Sequence, residues 1–558
     1  MPPRHQLILA LAIPVTLTMV FGLGWLLAQP VPTVPISPAP AQFDAARAQH
    51  DVEQWGAQFP VRIVGTRENA QARAWITARF AELGLSTGSL PFTVTVASQA
   101  RACEQVWAVM PGASDEIVLV TAHVDTPEYG NRDNAAGLAV LLELARIFAE
   151  AHPLRTLVFL ISDAREYGQA WGTKNLIERD LTGLEDPSGL RVSNVIAALS
   201  LEAMNGQDWS QVQIDSAGYR VGYAPLWLRQ IGVESIRAAG GQAQDPDGVA
   251  EFLARAFPFA MTDHGFFLRS GIPAIGFSGA PGEARPESLE TFGRAAEVWV
   301  RSVAALHPAP PPNPGEWRLS ADSYLPAIGS VFLPLLIFAP LFLATALAAW
   351  AQCPRWRDLL LELTALIAIG VVIVDGFAAA FILVALGLLP RYEWFPAAPF
   401  DPFLLEPMDW AALVIIVTMG AFAWYTFVPP NSWGRLTDRL DVPHRRVTLL
   451  IVFSILVLAA WVLNGFTAAL LLAPAAYLWL WIAPRPLSAG KALNVMLALG
   501  GILPLVGVFI ALGTTPGLGL FWWFLTLAAT YGLIPLPVTT AFIVGVALFA
   551  RFLRYGWR

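Results

Sequence analysis

Between Val118 and Gly172 the chain reads VLVTAHVDTPEYGNRDNAAGLAVLLELARIFAEAHPLRTLVFLISDAREYGQAWG. Two short apolar runs bracket a longer amphipathic one, the order strand, loop, helix, strand, loop. That order builds a sheet with helices laid across it, and in an open sheet of this kind ligands bind beyond the carboxyl ends of the strands. His123, Asp125, Asp133, Asp163 and Glu166 all fall at those ends or in the loops after them. Imidazole and carboxylate gathered there, without cysteine, form the donor set of a hydrolytic zinc site. Arg165 stands where such a site wants a general base.

The stretch belongs to a chain of 558 residues, enough for two or three domains. Hydrophobic residues make up 55% and charged ones 14%, and a mean hydropathy of +0.53 exceeds that of a wholly soluble protein. A net charge of -7, with no basic run, excludes nucleic acid as a partner. Two cysteines, Cys103 and Cys353, supply neither a disulfide framework nor a thiolate zinc site.

The apolarity is concentrated at the two ends. Residues 1–28 read as an uncleaved membrane anchor, with Leu7 to Ala28 apolar behind Arg4 and His5. Residues 29–42 form a Pro-rich linker, 43–308 an α/β domain, and 309–323 a second Pro-rich linker. Residues 324–558 carry about eight apolar segments, near 324–350, 359–389, 410–428, 447–464, 466–483, 492–512, 518–536 and 538–553. Basic connections at 353–357, at Arg435 to Arg446 and at 484–491 alternate with an acidic one holding Glu393, Asp401, Glu406 and Asp409. By the positive-inside rule the α/β domain then faces away from the cytoplasm: periplasmic or extracellular in a bacterium, lumenal in a eukaryote. Arg551, Arg554 and Arg558 at the carboxyl end run against that rule. Asp375, inside an apolar segment, is the one candidate polar site at membrane depth.

Within the α/β domain a helix is expected over Arg67 to Leu83, stopped by Gly84, and another over Asn134 to Ala151. Strands are expected at Glu104 to Met110, Glu116 to Val124, Leu154 to Ser162, Val195 to Leu201 and Ala274 to Phe277, and a closing helix over Glu287 to Leu306. The fold class is therefore α/β, a mostly parallel sheet covered on both faces.

A zinc hydrolase also needs its ligands held and a base for the attacking water. In H-x-D, His123 would bind metal and Asp125 would orient its imidazole. Asp133 lies just before a helix, where it reads equally well as a cap. Glu166 and Glu202 each come after a buried strand, so four candidate ligands emerge in order along one sheet edge.

TAHVDT, RDNAAGLAVLLELAR, LVFLISDAREYG, LSLEAMNG and TDHGFFLRSGIPAIGF, with FPVRIVGTRENAQARAWI upstream, together resemble family twenty-eight of the metallopeptidases. These are di-zinc aminopeptidases and carboxypeptidases. The anchor and multi-span carboxyl half further resemble the family's membrane-bound members, of the endoplasmic reticulum metallopeptidase and vacuolar membrane protease kind. The resemblance implies that His123 and Glu202 hold one metal, Asp133 bridges, and Glu166 holds the second. Two departures stand out. The family's paired Glu-Glu is Arg165-Glu166 here, and a guanidinium cannot accept a proton near neutral pH. The family's fifth ligand, a late His, is absent from GEARPESLETFG around Pro286. His264 and Asp163 are the candidate surrogates near the site.

The resemblance thus implies a zinc exopeptidase acting on peptides outside the cytoplasm, with one ion rather than two. The alternative is a peptidase fold that binds a protein ligand without cleaving it. On either reading the partners are a peptide or protein and membrane lipid. Arg165 is expected to balance charge at the weakened metal site by pairing with Glu166 or Asp133.

Overall fold

The computed structural model describes residues 3–361, apart from 97–98, 127–133, 152, 167–169, 182–189, 204–206, 261, 282–285, 309 and 311–314, together with 442–482 and scattered positions elsewhere. Asp133 and Asp375 lie outside the described residues, as do most of the expected apolar segments beyond residue 361.

The chain starts with helix α1 (Pro3–Leu27) and a two-residue strand β1 (Gln29–Pro30). Helices α2 (Ala45–Gln58) and α3 (Arg67–Glu82) come next. Asp44 and Thr66 cap them, each accepting the amide three residues on. Gly84, at φ 72°, ends the α3 region as its lack of a side chain allows. The sheet then opens with an antiparallel hairpin, β2 (Ser86–Val96) and β3 (Gln99–Met110). After it lie β4 (Ser114–His123), α4 (Ala135–Ala149), β5 (Arg155–Ser162), α5 (Trp171–Leu181), β6 (Val195–Glu202) and β7 (Gln207–Asp215). The domain is completed by α6 (Leu226–Ala238), β8 (Gln242–Gln244), α7 (Gly248–Ala256), α8 (Asp263–Arg269), β9 (Ala274–Pro281) and α9 (Pro286–Ala305).

The eight strands run in the order β2-β3-β5-β4-β6-β9-β7-β8. The centre, β5-β4-β6-β9, is parallel. The β2–β3, β3–β5 and β7–β9 pairings are antiparallel and β7–β8 is parallel, so the sheet is mixed around the mostly parallel centre expected from the sequence. The hairpin strand β2 escapes a hydrophobic reading because it is an edge strand. Ser, Thr and Gly alternate with its apolar residues, and Pro91 is tolerated only at such an edge.

The central strands are buried on both faces. Val118, Leu119, Phe159, Leu160, Ala197 and Leu199 are among their wholly enclosed residues. Arg155, also enclosed, pairs with Glu116 at 2.9 Å and donates to the carbonyls of Val303 (3.3 Å) and Ala304 (3.1 Å), closing the carboxyl end of α9.

Neither linker hangs free. The Gln42 and Phe43 amides donate to the buried Glu297 carboxylate at 2.8 and 2.9 Å, and the Ser37 amide to Ser302 Oγ at 2.9 Å. After α9, strands β10 (Trp317–Ser320) and β11 (Ser323–Leu325) form a small sheet with β1, in which Gln29 pairs with Tyr324 and Pro30 with Ser323. The chain segments that lead into and out of the α/β domain are thereby zipped together.

Beyond lie α10 (Ala327–Leu336), α11 (Ala339–Gln352), α12 (Val442–Leu463) and α13 (Gly465–Ile482). Phe338, Leu341, Leu450, Phe453, Val457 and Leu472 form a second core, separate from that of the sheet. Among the described residues no single helix is long and apolar enough to cross a membrane; α10 and α11, bent by 50° at their junction, together are. Thr467 Oγ1 donates to the Ala256 carbonyl at 2.5 Å and Asn464 Nδ2 to that of Arg255 at 2.8 Å, joining α7 to the α12–α13 turn.

Candidate active site

Strands β5, β4 and β6 end side by side, as parallel neighbours must. His123 is the last residue of β4 and Glu202 the last of β6, while Arg165 and Glu166 lie in the loop after β5. Asn134 staples the two strand ends, its Oδ1 accepting the Ala203 amide at 3.0 Å and its Nδ2 lying 3.4 Å from the His123 carbonyl. It does so from the left-handed region, at φ 53°, as the residue preceding α4. Helix α4 can approach this closely because its third residue is Gly137, where a Cβ would lie 2.1 Å from Asn134 Oδ1 and 2.9 Å from the Leu201 carbonyl. Gly137→Ala is therefore expected to lower stability by about 1–3 kcal/mol, the usual penalty of overpacking, measured by denaturant unfolding of the full chain. Sequence reasoning passes over Asn134. Its only local signal is a polar residue wedged between a helix start and the Asp133 loop.

After β5 the chain turns at Ala164, again left-handed at φ 60°. The Trp171 amide holds the Ala164 carbonyl at 3.2 Å, and the Gly172 amide holds that of Asp163 at 3.1 Å. This turn sends Asp163 and Glu166 to different partners.

Asp163 accepts from Asn69 Nδ2 (3.1 Å), Arg73 (2.6 Å), and the amides of Glu104 (3.1 Å) and Ala164 (3.0 Å). Burial raises its carboxyl pKa, which Arg73 opposes. With both oxygens so engaged, Asp163 braces α3 against the sheet.

Asp125 also differs from expectation. Its carboxylate accepts the Arg165 amide at 3.0 Å and the Glu166 amide at 2.9 Å, while His123 Nδ1 lies 3.1 Å from the Asp125 backbone carbonyl and 3.7 Å from its carboxylate. Asp125 thus fixes the loop carrying Arg165 and Glu166, and orients the imidazole through its main chain.

His123 Nε2 points at both acids, 3.5 Å from Glu202 Oε2 and 3.8 Å from Glu166 Oε1. The Arg165 guanidinium bridges the same two oxygens, with Nη1 on Glu166 Oε1 and Nη2 on Glu202 Oε2 at 2.8 Å. The expected partner Glu166 is found, Glu202 joins it, and Asp133 lies outside the described residues. Ser200 Oγ donates to the other Glu202 oxygen at 3.1 Å. Burial favours a neutral Glu202, but Arg165 and His123 outweigh it and hold its pKa down to about 2. Glu166 Oε2 is buried and has no hydrogen-bond partner among the described residues.

His264 lies in α8, its Nδ1 2.8 Å from Thr262 Oγ1. Burial pushes its pKa down to about 4, against the pull of Glu202, so the ring is neutral at neutral pH. Its neighbour Asp263 is held by Ser162 Oγ at 2.7 Å and Thr173 Oγ1 at 2.6 Å. Asp215, at the end of β7, is a further titratable group that the sequence does not single out. It accepts from Ser278 Oγ at 2.7 Å, and burial pushes its pKa up to about 6. Gly276 lets the His264 ring and Asp215 approach, since a Cβ there would lie 2.8 Å from His264 Nδ1 and 3.1 Å from Asp215 Cβ.

The model named Peptidase family M28 matches residues 105–299, which span the strands and loops that carry His123, Asp125, Glu166 and Glu202. These residues form a peptidase family M28 domain. The M28 domain is 26% identical over 184 aligned residues to the alkaline phosphatase isozyme conversion protein of Escherichia coli (strain K12), covering 28% of this chain and 52% of that protein. The chain thus spans about half the length of that curated relative. Among solved structures, BSAP, a zinc aminopeptidase from Bacillus subtilis, aligns at 13% identity and a TM-score of 0.37, over 47% of this chain and 95% of that one. Fimbriiglobus ruber glutaminyl cyclase aligns at 18% and 0.38, over 49% and 99%.

Zinc is the metal an M28 domain implies, and it would sit about 2.0–2.2 Å from each donor. The two carboxylate oxygens facing His123 already hold guanidinium N–H groups. Among the described residues no three His, Cys, Asp or Glu side chains form a group able to hold a metal ion. Around residue 286, where the resemblance calls for His, helix α9 begins at a proline. Of the ligands the resemblance implies, the described residues hold His123, Glu166 and Glu202, with the Arg165 guanidinium between the two acids.

Proposed function

We propose that this chain is a membrane-anchored M28 domain that captures the amino end of a peptide on the non-cytoplasmic side without hydrolysing it. The observation that carries this reading is Arg165. It occupies the position of the base and joins two acids that would otherwise serve metal. The two carboxylates that share the guanidinium carry one negative charge more than it balances, and the buried Glu166 Oε2 has no hydrogen-bond partner among the described residues. An ammonium group answers both needs.

The membrane location draws support from apolar surface. Phe21, Trp25 and Leu26 of α1, Ile328 and Phe332 of α10, Trp350 of α11 and Val462 of α12 all stand exposed, more apolar surface than a soluble helix leaves to water. Gly24 of α1 faces Leu333 of α10, and Leu27 lies beside Gly329. Such packing favours an α1 that stays with the bundle over a leader that is removed. A tag fused ahead of Met1 should therefore remain on the mature protein in the membrane fraction after an alkaline carbonate wash, and its loss would overturn this part.

Binding is tested with the full chain in detergent. A peptide with a free amino terminus should bind, its N-acetylated twin should not, and aminoacyl p-nitroanilides should show no turnover. Robust hydrolysis that His123→Ala abolishes would overturn the reading.

A second reading is slow exopeptidase action at a single zinc, favoured by the 3.5 Å approach of His123 Nε2 to Glu202 Oε2. Without a carboxylate base its rate would fall by about 10²–10⁴.

A further inference from the structure

We infer that Arg165 is the resident cation of this centre, that it keeps zinc out, and that removing this one side chain makes the site a zinc site. The inference rests on the non-hydrolytic reading and supplies its physical cause.

Glu166 and Glu202 come from different strand ends, yet their oxygens converge on one imidazole nitrogen, at 3.8 and 3.5 Å. Two buried carboxylates so close need a positive charge between them or one must take up a proton. The guanidinium meets this need with its planar fork, one N–H group to each acid, where the point charge of a lysine would favour one of them. The main chain that carries it is held in place. The Asp125 carboxylate holds the amides of both Arg165 and Glu166, and the Ala164 turn behind them is bonded at its carbonyl. The loop is thus shaped to present the guanidinium at this point.

Arginine also differs from a metal in kind. It cannot lose its proton in a protein and cannot be chelated away. The charge balance at His123 is therefore part of the covalent chain. A zinc ion would have to displace both N–H groups and then sit beside a like charge.

The test is metal content, read by plasma mass spectrometry on the full chain purified in detergent with zinc supplied and excess removed. Wild type should hold well below one zinc per chain, and its melting midpoint should not move with zinc or EDTA. Arg165→Glu should gain about one zinc per chain, lost again when His123→Ala is added. Should Arg165→Glu fail to fold, Arg165→Gln serves, with zinc raising its midpoint and leaving that of wild type unchanged. About one zinc on wild type that His123→Ala removes would overturn the inference, as would Arg165 variants that gain none. These outcomes are separable from those of the functional reading. A wild type with zinc but no hydrolysis refutes only the exclusion of metal, and a metal-free wild type that cleaves peptides refutes only the binding role.

Discussion

Arg165→Ala is expected to lower the stability of the α/β domain by about 3–5 kcal/mol at neutral pH, the usual penalty for removing one partner of a buried ion pair. The loss arises because Glu166 and Glu202 remain buried beside each other without their shared cation. It carries a definite pH dependence. Glu202 is an acid whose folded pKa is held at about 2, below its unfolded value of about 4.3. Its contribution is therefore complete above the unfolded pKa and fades as pH falls toward 2. The gap between wild type and variant should be widest at pH 6–8, about the same at pH 5, and visibly narrower at pH 3. Urea unfolding at pH 7 and pH 3, with chelator present in both, measures it. A gap that does not change with pH would mean that Arg165 contributes packing and not charge.

Glu251→Ala is expected to cost a similar amount, about 3–5 kcal/mol, for the same physical reason. Glu251 is wholly buried in α7, accepting from Arg229 Nη1 at 2.7 Å, Arg255 Nε at 2.7 Å and the Arg318 amide at 3.3 Å. Asp245 shares Arg229, at 2.8 Å, and also pairs with Arg318. Removing Glu251 leaves three arginines to one carboxylate in a network with little water. Arg255 in turn lies 5.6 Å from the Phe466 ring, which packs against Phe252 and Trp317 at 5.3 and 5.6 Å. The network is thus the joint between the sheet domain and the α12–α13 turn. Differential scanning calorimetry should show one transition for wild type and two for the variant, as the domain and the helices melt apart. A single, merely shifted transition would show that the joint does not couple them.

The strand ends of the site were legible in the sequence, and the arrangement between them was not. Runs such as LVFLIS and AALSL announce buried strands by their apolarity alone, and the residues just past a buried parallel strand must lie at the binding edge. His123, Glu166 and Glu202 are found by that rule. It says nothing of direction once the chain leaves the strand. Asp163 and Glu166 differ in fate because Ala164 adopts a left-handed conformation that its residue type does not advertise. Asp125 shows the same limit: an H-x-D pair suggests contact between the side chains, whereas the carboxylate turns to two amides. Contacts across long separations were hidden for a plainer reason. Arg165 and Glu202 lie 37 residues apart and Arg229 and Glu251 lie 22 apart, and no local period links such pairs. The hairpin β2–β3 was half seen because its outer strand has one wet face and so little apolar signal.

The zipper between β1 and β11 bears on how the molecule is built in time. Gln29 and Tyr324 are 295 residues apart, yet Tyr324 Oη donates to Gln29 Oε1 at 2.9 Å. Closing so long a loop in a flexible chain carries an entropic cost that grows with the logarithm of its length. Folding of the sheet domain meets most of that cost in advance, because Glu297 and Ser302 of α9 grip residues 37–43 and so bring the two flanks together. Helix α1 therefore meets α10 only after the sheet domain has brought the two flanks together. Until the sheet domain has folded, α1 stays apart from α10, and the domain acts as the clasp that brings the two helices together.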